Sequence, residues 1–335
     1  MRDLRALPKA HLHLHLEGAM RPSTLHNLAG QVGVDVPQTR GFGSFAAFAG
    51  MYVAACAVLT TPEAVARLVR EVVEDAATDG AVWVEPAVYL PRHRERIGPS
   101  ELTLEIMLDA AADAARELGV GVGFVVAADR TADPAEAVDL ARLAAGRAGR
   151  GVVGFGLAND EAGWPPEPFA PAFAIAREAG LLSVPHAGEL AGPESVLGAL
   201  DALAADRIQH GVRAIEDTEL VRRLADSPVC LDICPTSNVM LAVAASIEAH
   251  PLPALLEAGV RCSLNADDPL LFGPNLLEEY EVVRARLGLD DDALGHVARC
   301  SIDASGAPDR LKTTARAGID TWFTTDGRRS GNHPW

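Results

Sequence analysis

The stretch HLHLHLEG, residues 11–18, alternates histidine with leucine for six residues and then stops at an acid and a glycine. A period of two is the mark of a β-strand, in which residues i, i+2 and i+4 share one face. His11, His13 and His15 therefore point one way and the leucines the other. At ~3.3 Å per residue, His13 and His15 lie ~6–7 Å apart at Cα, and His11 and His15 ~13 Å apart. Zinc accepts nitrogen at ~2.0–2.1 Å, so two imidazoles one step apart can converge on one ion, and the outer pair cannot easily do so. His13 and His15 are the candidate ligands. His11 is expected to be a buried, hydrogen-bonded residue deeper in the fold. Taken alone, the pattern also fits an accidental repeat or a surface strand.

Working outward, eight β-rich runs recur along the chain, near 10–16, 81–88, 120–127, 151–157, 181–186, 207–210, 229–234 and 259–265. Between them lie patterns with apolar residues at helical spacing, such as PEAVARLVREVVEDAATDG. Eight strands, each followed by a helix, is the count of an α/β (β/α)8 TIM barrel, and 335 residues fits its usual size with insertions. A doubly wound open sheet alternates in the same way, and periodicity does not separate the two. Residues 1–323 read as a single domain, and the tail 324–335, with His333, as a poorly ordered end. A helical insertion at about 22–60 follows the first strand. Its stretch GFGSFAAFAGMYVAACAVL carries Phe42, Phe45 and Phe48 and reads either as ordinary packing or as a lid over a ligand.

Polar residues gather where the strands end, which in this fold is where chemistry sits. The ends carry His13 and His15 with Glu17; Asn159, Asp160 and Glu161; His186 and Glu189; His210; Cys234 to Asn238; and Asp267 with Asp268. Ser237 and Asn238 are expected to shape the rim of a pocket.

Composition narrows the classes. With Lys+Arg 29 and Asp+Glu 46, the formal charge of −17 argues against a nucleic-acid partner, which needs a basic footprint. Five scattered cysteines do not make a disulfide framework. Neither a signal peptide nor a membrane-length apolar run is apparent, so the chain is expected to be cytoplasmic. Small zinc deaminases of nucleic acids use H-x-E with P-C-x-x-C. Here His15-Leu-Glu17 is followed by Pro228-Val-Cys230 and Cys234, one residue off that spacing.

Five stretches, KAHLHLHLEGAMRPSTL, SVPHAGE, RIQHGV, ICPTSN and SLNADDPLLFG, stand in an order and spacing that resembles the adenosine deaminase family, within the amidohydrolase superfamily of metal-bearing barrels. The resemblance runs from about Leu7 to Tyr280. It implies one Zn2+, or another divalent ion, held by His13, His15, His186 and Asp267. It implies hydrolytic deamination of a 6-aminopurine, with metal-bound hydroxide attacking the amino-bearing carbon and ammonia leaving. Glu189 would give a proton to ring nitrogen 1, His210 would orient and deprotonate the water, and Asp268 would share a hydrogen bond with ring nitrogen 7. Asp267 would thus serve both metal and reaction.

Several positions depart from the family pattern. Glu17 stands where Asp is usual and would face the 5′ end of a ribose. Asn159 replaces the glycine whose amide approaches ring nitrogen 3. Gln209 and Ala266 replace a glycine and a threonine, and no arginine follows Glu85. FGPNLLEEY after the acid pair and RPSTL after HLEGAM favour a purine nucleoside, either adenosine or a 5′-modified analogue such as aminodeoxyfutalosine, and Glu17 and Asn159 tilt the choice towards a modified 5′ end. Free adenine is the alternative, because adenine deaminases often share the HLEG form. A non-catalytic metal-binding barrel is the distant one. The partner is a small-molecule aminopurine, with no nucleic acid and no membrane.

Overall fold

A computed structural model of the chain describes residues 1–324. The first strand, β1, spans Lys9–His15 and is followed by helices α1 (Pro22–Val32), α2 (Phe45–Cys56) and α3 (Pro62–Thr78). The strands β2 (Ala81–Val88), β3 (Gly121–Val122 and Phe124–Asp129, interrupted at Gly123), β4 (Val152–Ala158), β5 (Leu182–Ala187), β6 (Arg207–His210), β7 (Cys230–Ile233) and β8 (Arg261–Leu264) then alternate with helices. Each strand pairs in parallel with the next in chain order. The circle closes beyond β8. The His15 amide donates to Asp267 O at 3.0 Å, and the Asp267 amide donates to His13 O at 3.1 Å. This closure is what separates the barrel from an open doubly wound sheet.

Local chemistry places the helices. Thr61 caps α3 by accepting from the Ala64 amide, and Pro62 occupies the first turn, where no N–H is needed. Leu12, Leu14 and Leu16 turn outward into the main apolar core. Inside the barrel the floor is ionic. Fully buried Arg207 donates to Glu85 at 2.7 Å and to Asp232 at 2.9 Å. Asp232 accepts from Ser263, which accepts from Asn265, whose carbonyl accepts from the Leu12 and His13 amides at 2.7 and 3.1 Å. The strand that carries the histidines is thereby tied to the far side of the barrel.

The insertion is two helices, α1 and α2. Phe42 and Phe48 form a satellite cluster with Leu271 and Phe272, in which the Phe48 and Phe272 rings stack at 5.1 Å. This packing lays α2 across the C-terminal mouth of the barrel. Thr324 closes the last helix, Asp309–Thr324. The rest of the tail that the sequence marks as poorly ordered, with His333, lies outside the described residues. Among those described, no helix is long and apolar enough to cross a membrane.

Candidate active site

A cavity of about 260 Å³ opens at the C-terminal ends of the strands. His15, His186, Glu189, His210, Asp267 and Asp268 line its inner wall, and fully buried His13 lies behind them. The Nε2 atoms of His15 and His186 lie 3.2 Å apart, and Asp267 Oδ1 lies 3.3 Å from Nε2 of both His13 and His15. An ion bonded tetrahedrally at ~2.0–2.1 Å sets its donors roughly 3.3–3.4 Å apart. The second ring nitrogens fix the tautomers of His13 and His186. His13 Nδ1 is 3.1 Å from Asp232 O and His186 Nδ1 3.0 Å from Leu157 O. A backbone carbonyl only accepts, so both rings carry their proton at Nδ1 and turn a bare Nε2 inward, the ligand tautomer. His13 Nε2 is buried without a hydrogen-bond partner. Burial lowers the pKa of His186 well below the ordinary value, helped by the neighbouring imidazoles His13, His15 and His210. Burial would raise Asp267, but His13, His15 and His210 outweigh it and hold the carboxylate ionised. This donor set fits a divalent cation.

His11 has the role expected of it. It is buried, accepts from the Ala266 amide at 3.1 Å, and is held neutral by burial with its pKa lowered to about 3.

The two remaining carboxyls behave oppositely to Asp267. Burial raises Glu189 well above the carboxylate range, and Asp267, Glu161 and Asp268 push it further. Burial and then Asp267 raise Asp268 likewise. Glu189 Oε1 and Asp268 Oδ1 are buried and unpartnered, and both residues face the cavity. Asp268 sits against Gly18, where a Cβ would lie 1.7 Å from Asp268 Oδ1. That contact is why the opening motif ends in glycine. β8 stops at Leu264, and Asp267 takes a left-handed φ of 60°, which breaks strand alternation and lets adjacent acids face one cavity.

Glu161, named in the sequence only as an acid at a strand end, holds Glu189 in place. Its carboxylate accepts from the amides of Gly188 (2.6 Å), Glu189 (2.9 Å), Leu190 (2.7 Å) and Ala191 (3.0 Å). Arg130, also buried, donates to His186 O and Trp164 O.

Behind His210 runs a chain that sequence reasoning missed. The Leu252 amide donates to His250 Nδ1 at 3.1 Å, so neutral His250 carries its proton at Nε2 and donates to Asn238 Oδ1 at 3.1 Å. The Asn238 amide nitrogen then faces His210 Nδ1 at 3.2 Å and donates to it. His210 is left with its proton on Nε2, directed between Glu189 Oε1 at 3.3 Å and Asp267 Oδ2 at 3.9 Å. Ser237 donates to Asp267 Oδ2 at 2.6 Å. Ser237 and Asn238 are fully buried, so they brace the inner wall and do not form the rim expected from the sequence.

The outer wall departs further. Glu17 is buried and its carboxylate is engaged, accepting from the Tyr52 hydroxyl at 2.6 Å and meeting His93 Nε2 at 2.5 Å. Tyr52 stands between it and the cavity, which Glu17 does not line. Asn159 lines the cavity with φ 81°, the conformation a glycine would take and one that Asn tolerates. Its side-chain amide donates to Asp129, and its carbonyl accepts from the Asp160 amide. Cys234 Sγ lies 3.4 Å from His13 Nδ1, on the side away from the converging nitrogens, and all five cysteines are free thiols.

A family model described as adenosine deaminase matches residues 8–322. A Streptomyces coelicolor protein that bears the provisional name adenosine/adenine deaminase is 48% identical, with 96% of this chain and 98% of that protein covered. The structure of an adenine deaminase from Arthrobacter aurescens superposes with a TM-score of 0.90 at 31% identity, covering 95% of this chain and all of that one. A Burkholderia ambifaria amidohydrolase with bound zinc gives 0.88 at 29% identity, covering 96% and 92%.

Proposed function

Because the chain belongs to the adenosine deaminase family, we propose that it hydrolyses the exocyclic amine of a 6-aminopurine nucleoside with a modified 5′ end, using one zinc ion. One observation carries the choice of a purine: two buried carboxyls, Glu189 and Asp268, each with an unpartnered oxygen, face the cavity beside the metal donors, and burial pushes both towards the protonated form. Nitrogens 1 and 7 of a 6-aminopurine are both acceptors. Two carboxyls that keep their protons are the matching donors.

His13, His15, His186 and Asp267 would hold the ion, whose contribution is to acidify a water towards neutral pH. Glu189 passes its proton to ring nitrogen 1, so that charge does not build on the ring as the adjacent carbon is attacked. Asp268 fixes the other edge of the base, and the Asn159 backbone borders it. His210 already bears its Nε2 proton, and Asn238 occupies its other nitrogen. It therefore acts here as a hydrogen-bond donor that orients the nucleophile, and not as the base named from the resemblance. The hydroxyl proton on the attacked carbon passes to the amine, which leaves as ammonia with the 6-oxopurine, and the proton given up by the water restores Glu189.

The nucleoside choice draws on the cavity's extension past these groups to Tyr89, Arg92 and Asp129. Because Glu17 is closed off by Tyr52 and His93, its carboxylate does not accept from a free 5′ hydroxyl, so plain adenosine fits less well than a 5′-substituted analogue. The same closure favours free adenine as the second reading. A screen following the adenine-to-hypoxanthine absorbance change on adenine, adenosine, methylthioadenosine and aminodeoxyfutalosine decides between them. Turnover of adenine alone overturns the nucleoside reading, and turnover of none overturns the reaction. Metal analysis of protein purified without added zinc should return about one ion per chain.

A further inference from the structure

The outer wall of the cavity holds a cation that pairs with no carboxylate among the described residues. Arg92 lines the cavity just beyond β2. The His15 and Tyr52 rings are 6.2 Å apart, and the Arg92 guanidinium carbon sits 5.6 Å from the Tyr52 centroid and 5.5 Å from that of Tyr89. It is therefore one aromatic ring further out than the metal donors. Among the described residues it makes no ion pair, and its Nε is buried without a hydrogen-bond partner. Arg21 and Arg207 are different: each grips two carboxylates.

The acids near Arg92 do not need it. Glu17 is satisfied by Tyr52 and His93. Asp129 accepts from the Thr131 amide and hydroxyl and from Asn159. The hydroxyls of the two flanking tyrosines are also committed, Tyr52 to Glu17 and Tyr89 to Glu136 at 2.5 Å. What remains on this wall is a planar fork of N–H donors, steadied on two aromatic faces at the lining of the cavity. Such a fork matches an oxyanion in two-point geometry, and partial exclusion of water strengthens the pairing.

We propose that Arg92 is the receptor for an anionic group, carboxylate or phosphate, carried by the substrate on the side of the purine away from the metal. This deepens the nucleoside reading and rests on it, since free adenine has no such group.

Binding tests it apart from turnover. Metal-loaded protein is titrated by calorimetry with inosine, inosine 5′-monophosphate and inosine 5′-carboxylate, which are 6-oxopurine products or their analogues. At least one anion should bind about ten-fold or more tightly than inosine, and the better of the two identifies the group. R92Q should erase that preference, R92K should keep part of it, and added salt should shrink it. Equal binding of all three ligands by the wild type would overturn the proposal. So would an R92Q variant that weakens all three alike, since Arg92 would then be only a shelf. A retained anion preference in a protein that deaminates no aminopurine would refute the reaction and leave the subsite standing.

Discussion

The inner wall of the cavity is made by strand ends and the residues just past them, and behind several of its side chains stands a buried partner, either a backbone carbonyl or a second side chain. Asp232 O meets His13, Leu157 O meets His186, Asn238 meets His210 and Glu161 holds the Glu189 loop. The outer wall is made by α2, from the insertion, and by the turn after β2. Its tyrosines are tied to acids, but among the described residues its arginine pairs with no acid and rests on aromatic faces. Geometry on the inner side is imposed by the barrel itself. Geometry on the outer side depends on a helix docked through a small aromatic cluster. Inner-wall changes should therefore lower turnover of every substrate by a similar factor, and outer-wall changes should redistribute preference among substrates.

The largest effect is expected at Asp267. D267A removes the one carboxylate that approaches both His13 and His15. Metal content should drop and kcat should fall at least about 10³-fold, the scale of losing a principal electrostatic group. A variant that kept its metal and most of its activity would break the account of the inner wall.

Next comes Glu161. E161A leaves four backbone amides without their acceptor. A displacement of about 1 Å at Glu189 costs on the order of 10² in rate. E161Q keeps an acceptor but removes a negative charge that helps raise Glu189. Glu189 must hold its proton to react, so wild-type kcat/KM should decline as pH rises through its raised pKa. In E161Q that decline should begin at lower pH. An unmoved pH profile would mean that Glu161 acts through loop position alone.

His250 should show a smaller effect of the same kind. H250A leaves Asn238 free to turn over and offer His210 the wrong atom. About ten-fold in kcat, equal across substrates and with full metal content, is expected from one lost hydrogen bond of about 1–1.5 kcal/mol. A change confined to KM for one substrate would move His250 into the outer wall's behaviour.

The two walls were unequally legible. β2 and β6 coincide with their expected spans, and β1, with its pair of candidate ligand histidines, could be read from period-two alternation. Strand pattern and strand-end polarity are local properties, so they survive in sequence. The bracing residues are not local. His250 has no motif of its own, and it matters because the chain brings it 3.1 Å from Asn238. Glu161 was visible as an acid after β4, but nothing in the sequence says that its partners are amides 27 to 30 residues on. Glu17 was only partly legible for a related reason. Its motif fixed where its backbone runs, while its partners Tyr52 and His93 come from the insertion and from the turn after β2.

The smallest change is the most discriminating one. Y52F removes a single 2.6 Å hydrogen bond to Glu17 and leaves the ring that Arg92 packs on. Glu17 is held below the ordinary carboxylate range against its own burial, chiefly by His93 and with help from Tyr52. With His93 still bound, the carboxylate should stay ionised, and the Phe ring still screens it from the cavity. The effect should therefore be small, about three-fold at most and in KM, the scale of one lost hydrogen bond. kcat should hold for every substrate, because the inner wall is untouched. If Y52F instead lowers kcat equally for all substrates, the helix and the strand ends act as one unit, and the division between the walls fails.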